Sequence, residues 1–124
     1  MTVSVGEIVY AFADGLVGAK KQGWKYLLRV CATNRLYMLV CSERFENDFP
    51  ISQAECNKLT VDPSWLSVAG YRHFPDDTMR RMKAQRICIV SDDFIKALCD
   101  HIGACDSLTA RQKRTLLSGL QSRT

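Results

Sequence analysis

The sequence predicts an α+β fold, mainly β: a small antiparallel barrel, closed or partly open, followed by two C-terminal helices. Three observations carry this. Short segments up to Val90 alternate apolar and polar residues at period two, the spacing of strands. From Ser91 onward the apolar spacing changes to 3.6, the spacing of helices. Several strands are also partly apolar on both sides, which suits about five strands curled into a barrel better than a flat sheet with one wet face.

The strands come first. Gly6-Glu7-Ile8-Val9-Tyr10-Ala11-Phe12 is β-branched and aromatic and reads as the opening strand. Residues 14–23 hold three glycines and two lysines and read as a loop. Trp24 to Cys31 forms the second strand, with Trp24, Tyr26, Leu28 and Val30 on one face. Leu27 and Cys31 lie on the other, beside Lys25 and Arg29. A tight turn at Thr33-Asn34 leads to a third strand, Leu36 to Cys41, making a hairpin with the second. Phe49-Pro50-Ile51 is a short extended piece. Ser52 and Glu55 have capping-box spacing, which predicts a helical turn from Ser52 to about Leu59. Trp65 to Val68 and Ile87 to Val90 are further short strands, and 76–83 between them has helical character. The barrel thus occupies roughly residues 5–90.

The helical part covers roughly 91–122. Ser91 is an N-cap, and Asp92 and Asp93 place negative charge at the positive end of the helix dipole. Phe94, Ile95, Leu98 and Ile102 share one face, and Gly103 ends the helix. A second helix begins near Ser107 or Thr109 and carries Leu108, Leu116, Leu117 and Leu120, giving helices near 92–102 and 108–120.

The 124 residues suit one domain, 1–124, and 47% hydrophobic with 24% charged residues is ordinary for a globular chain. The N-terminus has neither the basic start nor the apolar stretch of a signal peptide. No apolar run approaches the roughly 20 residues of a membrane span, so a cytoplasmic location is expected. On that basis all six cysteines are expected as free thiols, with Cys31, Cys41 and Cys88 acting as small buried hydrophobes within apolar runs. The net charge of +4 permits nucleic-acid binding without arguing for it.

Four clusters bear on chemistry. Glu43, Glu46 and Asp48 could act as paired carboxylates or hold a hard cation, although such runs serve more often as solvated loops. Cys99, His101 and Cys105 are zinc-type ligands, but there is no Cys-x-x-Cys pair, and residues two apart on a helix point to different faces. Neither a metal nor a cofactor is therefore expected. Arg80, Arg81, Lys83 and Arg86 hold no acid among them and follow Tyr71, Arg72, His73 and Phe74. Cations for phosphates and rings for bases suit single-stranded nucleic acid; the competing reading is a solvated helix face. Arg111, Lys113 and Arg114 read as solvated surface, and Gly15 to Gly18 lacks the spacing of a phosphate loop.

Taken in order, three features resemble the MazF/PemK toxin family: the opening Val5-Gly6-Glu7-Ile8-Val9-Tyr10, the apolar strand Trp24-Lys25-Tyr26-Leu27-Leu28 after a glycine-containing loop, and the strand end Leu39-Val40-Cys41-Ser42. The resemblance covers about the first half of the chain. It implies an SH3-like barrel with added helices and a metal-independent endoribonuclease acting on single-stranded RNA. It also implies a cognate antitoxin and a homodimer. In that family the RNA's own 2′-hydroxyl attacks the phosphate, and an arginine with a serine or threonine stabilises the developing charge. By position, Lys25 stands near the family's Arg-Pro and Ser42 near its serine or threonine. The Arg-Pro dipeptide is missing, and lysine offers a point charge where arginine offers a bidentate fork; Arg29 or Arg44 could supply the fork. The alternative is a non-catalytic interaction module, an inhibitor or regulator, that uses the barrel or the terminal helices.

Overall fold

All the strands pair antiparallel into one sheet. The computed structural model describes residues 3–13, 23–45 and 47–123. The elements are β1 (Glu7–Ala13), β2 (Gly23–Cys31), β3 (Leu36–Cys41), β4 (Phe49–Ile51), β5 (Ser64–Leu66), β6 (Arg72–His73), α1 (Asp76–Arg81), β7 (Gln85–Ile89), α2 (Asp92–Gly103) and α3 (Ala110–Gln121). The strand order is β4-β5-β3-β2-β1-β7, with β6 pairing β3. The sheet curls into half a barrel with helices at its C-terminal end, the α+β, mainly β class the sequence predicts. The short β4 and β6 join the expected strands. The loop expected over 14–23 lies outside the described residues except for Gly23, which opens β2.

The two-sided apolarity of β2 has a direct cause: the sheet is buried on both faces. Leu28 and Val30 enter a large core with Ile8, Met38, Val40 and Leu66, closed by Ile95, Leu98 and Ile102 of α2 and Leu116 and Leu120 of α3. Leu27 points the other way, into a smaller core of Val9, Ala11, Tyr37, Phe74, Met79 and Met82. Leu98, Ile102, Leu116 and Leu120 are fully withdrawn from water, about 1.5–3 kcal/mol each. Gly119 brings α3 against β2, where a methyl group would collide with the Val30 carbonyl oxygen and the Cys31 Cβ.

The N-terminal helix signals act as read, whereas Gly103 stays inside α2 and Ala104 is its C-cap. Ser91 Oγ accepts from Phe94 N at 3.1 Å. Thr109 and Gln112 form a reciprocal capping box, so α3 starts at Ala110 rather than 108. The Ser52–Glu55 signal holds for one turn only, with Ser52 Oγ accepting from Ala54 N at 3.2 Å. Residues 52–59 form turns, with Cys56 N donating to Ser52 O at 3.3 Å, and no helix. The Glu55 carboxylate instead accepts from Ser91 N at 2.8 Å and from Ser91 Oγ at 3.0 Å.

That contact belongs to a seam. β4 and β7 are the ends of the strand order, and the segment after β4 is tied to β7 and to the start of α2. Cys56 and Cys88 form a disulfide there, with Cα atoms 5.6 Å apart. This corrects the expectation of six free thiols; the free cysteines are Cys31, Cys41, Cys99 and Cys105. Cys88 lies in an apolar run and looks like a small hydrophobe. Its partner is 32 residues away in the chain, and only curling of the sheet brings the two together. No helix among the described residues is long and apolar enough to cross a membrane.

Candidate functional site

The site forms where β2, β3 and β5 end together. Tyr26 pairs with Val40 and Leu27 with Leu39, so the next residues, Lys25 and Cys41, are neighbours on the smaller-core face. Lys25 pairs on its other side with Ala11, and Cys41 pairs with Trp65. Ala11, Lys25, Cys41 and Trp65 therefore make one cross-strand row. Burial pushes the Cys41 thiol up from its ordinary pKa, Asp48 adds to this, and the Lys25 charge opposes it.

Ser42 is exposed and leaves the sheet at the end of this row. Two residues on, the Arg44 guanidinium carbon lies 5.0 Å from the centre of the Trp65 ring. Such a cation–π contact contributes about 0.5–1 kcal/mol at an exposed site and holds the planar fork over the row. The loop is pinned from below. Asp48 is buried, its Oδ2 accepts from Phe45 N at 3.0 Å, and its own N–H donates to Phe45 O at 3.2 Å. His101 Nε2 donates to Asn47 O at 2.7 Å, and its ring lies against Phe49. Lys25, Ser42 and Arg44 thus share one rim, with Trp65 as a member that sequence reasoning missed. Trp65 was legible only as a strand residue, because its importance comes from pairing with Cys41.

Arg29 is not brought to this rim. It is four residues along β2 from Lys25, about 13 Å by strand rise, and is 5% exposed. Nε donates to Cys31 O at 3.0 Å, one terminal nitrogen to Ala32 O at 2.9 Å and the other to Tyr37 Oη at 2.5 Å. Its fork is committed to bracing the β2–β3 turn.

The basic segment is divided. Arg80 pairs with Asp77, and Arg86 lies 3.9 Å from Glu7. Arg81 and Lys83 are exposed. Met82 O accepts from Phe12 N at 2.8 Å, which sets 82–84 beside the end of β1, across that strand from Lys25. Of the aromatics expected to interleave with these cations, Phe74 is buried against Tyr37 in the smaller core and Tyr71 packs against the large core, while His73 is exposed. Among the described residues no group of three His, Cys, Asp or Glu side chains could hold a metal ion. Asp48 builds its loop, Glu43 is exposed, and Glu46 lies outside the described residues.

No protein-family profile matches the sequence. No curated protein matches it either. Among solved structures, a chain of the MazE–MazF crystal structure (Form II) from Deinococcus radiodurans is similar over 100% of this chain and 99% of that one, with a TM-score of 0.53 and 14% identity. At that identity the likeness is one of fold: the chain has a MazF-like fold.

Proposed function

We propose that the chain is an RNA-directed protein of the MazF/PemK kind, a metal-independent endoribonuclease toxin acting on single-stranded RNA. The observation that carries this reading is the gathering of Lys25, Ser42 and Arg44 at one rim of a MazF-like fold, with the Arg44 guanidinium held over Trp65. In this reading the RNA 2′-hydroxyl attacks the adjacent phosphorus. The new O2′–P bond forms as the P–O5′ bond breaks, the 2′ proton leaves to solvent, and the 5′ oxygen takes one up. Arg44 and Lys25 bear the charge on the phosphoryl oxygens and the Ser42 hydroxyl donates to one of them. Fixed donors of this sort act where charge develops. A protein antitoxin and a homodimer belong to the same reading, as does RNA contact by Arg80, Arg81, Lys83 and Arg86.

The test is expression in a bacterial host with an RNA-integrity assay, followed by cleavage of single-stranded RNA in the presence of a chelator. Ser42→Ala or Arg44→Ala should each lower cleavage about 100-fold, the scale for losing one charge-stabilising donor. Intact RNA, unaffected growth and no RNA binding by the parent chain would sink it. Arg29, a candidate for the missing fork, is committed internally, and this favours a second reading: a non-cleaving module that keeps the fold as a binding surface. RNA bound but left intact would select that one.

A further inference from the structure

The face of β1 and β2 opposite the Lys25 row carries four aromatic rings that the proposed reaction does not use. Tyr10 pairs with Tyr26 and Phe12 with Trp24 in the β1–β2 register, so all four project to one side. Their rings form a continuous array. Tyr10 stacks on Trp24 with centroids 5.0 Å apart and planes 21° apart, Tyr26 lies 4.7 Å from Tyr10 on the other side, and Phe12 meets Trp24 edge-on at 5.8 Å. Only Tyr26 is counted with the large core, at its margin, and its hydroxyl donates to Lys58 O at 3.0 Å. Trp24, towards the hairpin end of the array, is 43% exposed.

A ring of that size left open to water loses the burial that aromatic residues ordinarily gain, so the array is shaped for something that covers it. The surroundings choose the class of occupant. Lys58, whose carbonyl accepts from the Tyr26 hydroxyl and whose side chain is exposed, stands at one end of the array, while Lys25, next to Trp24 in the chain, lies on the other face of the sheet at the shared rim. Of the exposed large aliphatics among the described residues, Ile89 lies in β7 and Val61 between β4 and β5, so neither is on β1 or β2. Rings with an exposed lysine at one end and a cationic rim at the other suit bases and phosphates better than the apolar centre of a protein interface.

Position adds continuity with the candidate site. β2 outlasts β3: Cys41 ends β3 opposite Lys25, and Gly23 and Trp24 extend beyond it. Trp24 therefore sits at the same rim where Ser42 leaves the sheet, and a single strand crossing Ser42 can turn over that rim onto the rings. We propose that Tyr10, Phe12, Trp24 and Tyr26 form a stacking platform for one or two bases of single-stranded RNA, with Trp24 as the contact ring. The proposal rests on the RNA-directed reading and extends it to a second face of the sheet.

The test is equilibrium binding of the full chain to a short oligouridine and to an abasic oligomer of the same length, over a range of salt. Trp24→Ala should weaken oligouridine binding about 5- to 150-fold, the scale for removing one base–aromatic stack, with an unchanged salt slope. Trp24→Phe, which keeps a ring, should retain most of the affinity. The abasic oligomer, which keeps only phosphates and sugars, should bind parent and Trp24→Ala alike. Full oligouridine affinity in Trp24→Ala, or an equal loss on both oligomers, overturns the platform and leaves the RNA reading standing. A parent chain that binds no RNA overturns both. If Trp24→Ala converts a dimer to a monomer in sedimentation, the rings are an interface between copies and the platform is wrong.

Discussion

Arg29 and Tyr37 face each other across β2 and β3, and the guanidinium donates to the phenolic oxygen at 2.5 Å in a place almost closed to water. The same guanidinium carbon lies 4.9 Å from the centre of the Tyr37 ring. A buried cation is tolerated only where its donors are all used, and here three of its nitrogens have acceptors. Arg29→Met should therefore cost about 2–3 kcal/mol, because it strands the Cys31 carbonyl and the Tyr37 hydroxyl. Tyr37→Phe should cost less, about 1–2 kcal/mol, since it removes one acceptor. Urea unfolding checks both. An Arg29→Met protein as stable as the parent, with its RNA activity lost, would return Arg29 to the functional site.

The same pair sets an alkaline limit. Burial is the main cause that raises the Tyr37 pKa above 10.0; Arg29 opposes it without cancelling it. Below the unfolded value both states hold the proton, and this contribution to stability is fully present. As pH rises above about 10 the unfolded chain ionises first, so stability falls until the folded pKa is passed. The melting temperature of the parent should fall in that window, and Tyr37→Phe should flatten the fall. A parallel decline in both proteins would assign it to other groups.

Cys56–Cys88 joins the segment after one edge strand to the other edge strand, so it closes the curl of the sheet. Its loop of 32 residues corresponds to about 3–4 kcal/mol in the chain-entropy account. Reductant should lower stability by an amount of that order, and Cys56→Ser/Cys88→Ser should reproduce the loss. Alkylation of the unfolded, unreduced protein should label Cys31, Cys41, Cys99 and Cys105. In the folded protein all four should react slowly. Cys31 and Cys105 are buried, and burial raises the thiol pKa of Cys41 and Cys99, leaving little thiolate at neutral pH. Labelling of all six positions without reductant would remove the disulfide.

What was legible in the sequence was what local periodicity encodes. The apolar face of α2, its Ser91 cap and the hairpin of β2 and β3 follow from spacing alone. What was not legible depended on contacts distant in sequence. Glu55 has the spacing to cap its own turn but binds Ser91. Cys88 reads as core but reaches Cys56. Arg29 alternates with apolar residues much as Lys25 does, yet one lies inside and the other at the rim, because β3 covers the first and ends at the second. At the candidate site Lys25, Ser42 and Arg44 could be named from the sequence, whereas Trp65 could not. Its place beneath Arg44 exists only through the pairing of β3 with β5.

Charge at the rim is testable separately from chemistry. Each phosphate neutralised on a single strand contributes about −0.7 to the slope of log K against log salt. Lys25, Arg44, Arg81 and Lys83 together would give a slope of roughly −3. The double variant Arg81→Glu/Lys83→Glu should reduce it to about half while leaving stability within about 0.5 kcal/mol, since both side chains are exposed. Arg86 should behave differently. Glu7, its partner at 3.9 Å, has a side chain only 15% exposed, so Arg86→Ala leaves a half-buried carboxylate less compensated and should lower stability more than slope. Arg80 is bound to Asp77 on an open surface, where such pairs contribute about 0–1 kcal/mol; it can exchange that partner for a phosphate and should fall between the two. A slope near zero in the parent protein would mean that no phosphate is bound at the rim. Equal effects of Arg81, Lys83 and Arg86 on the slope would mean that the track runs along β7 rather than across β1 from Lys25.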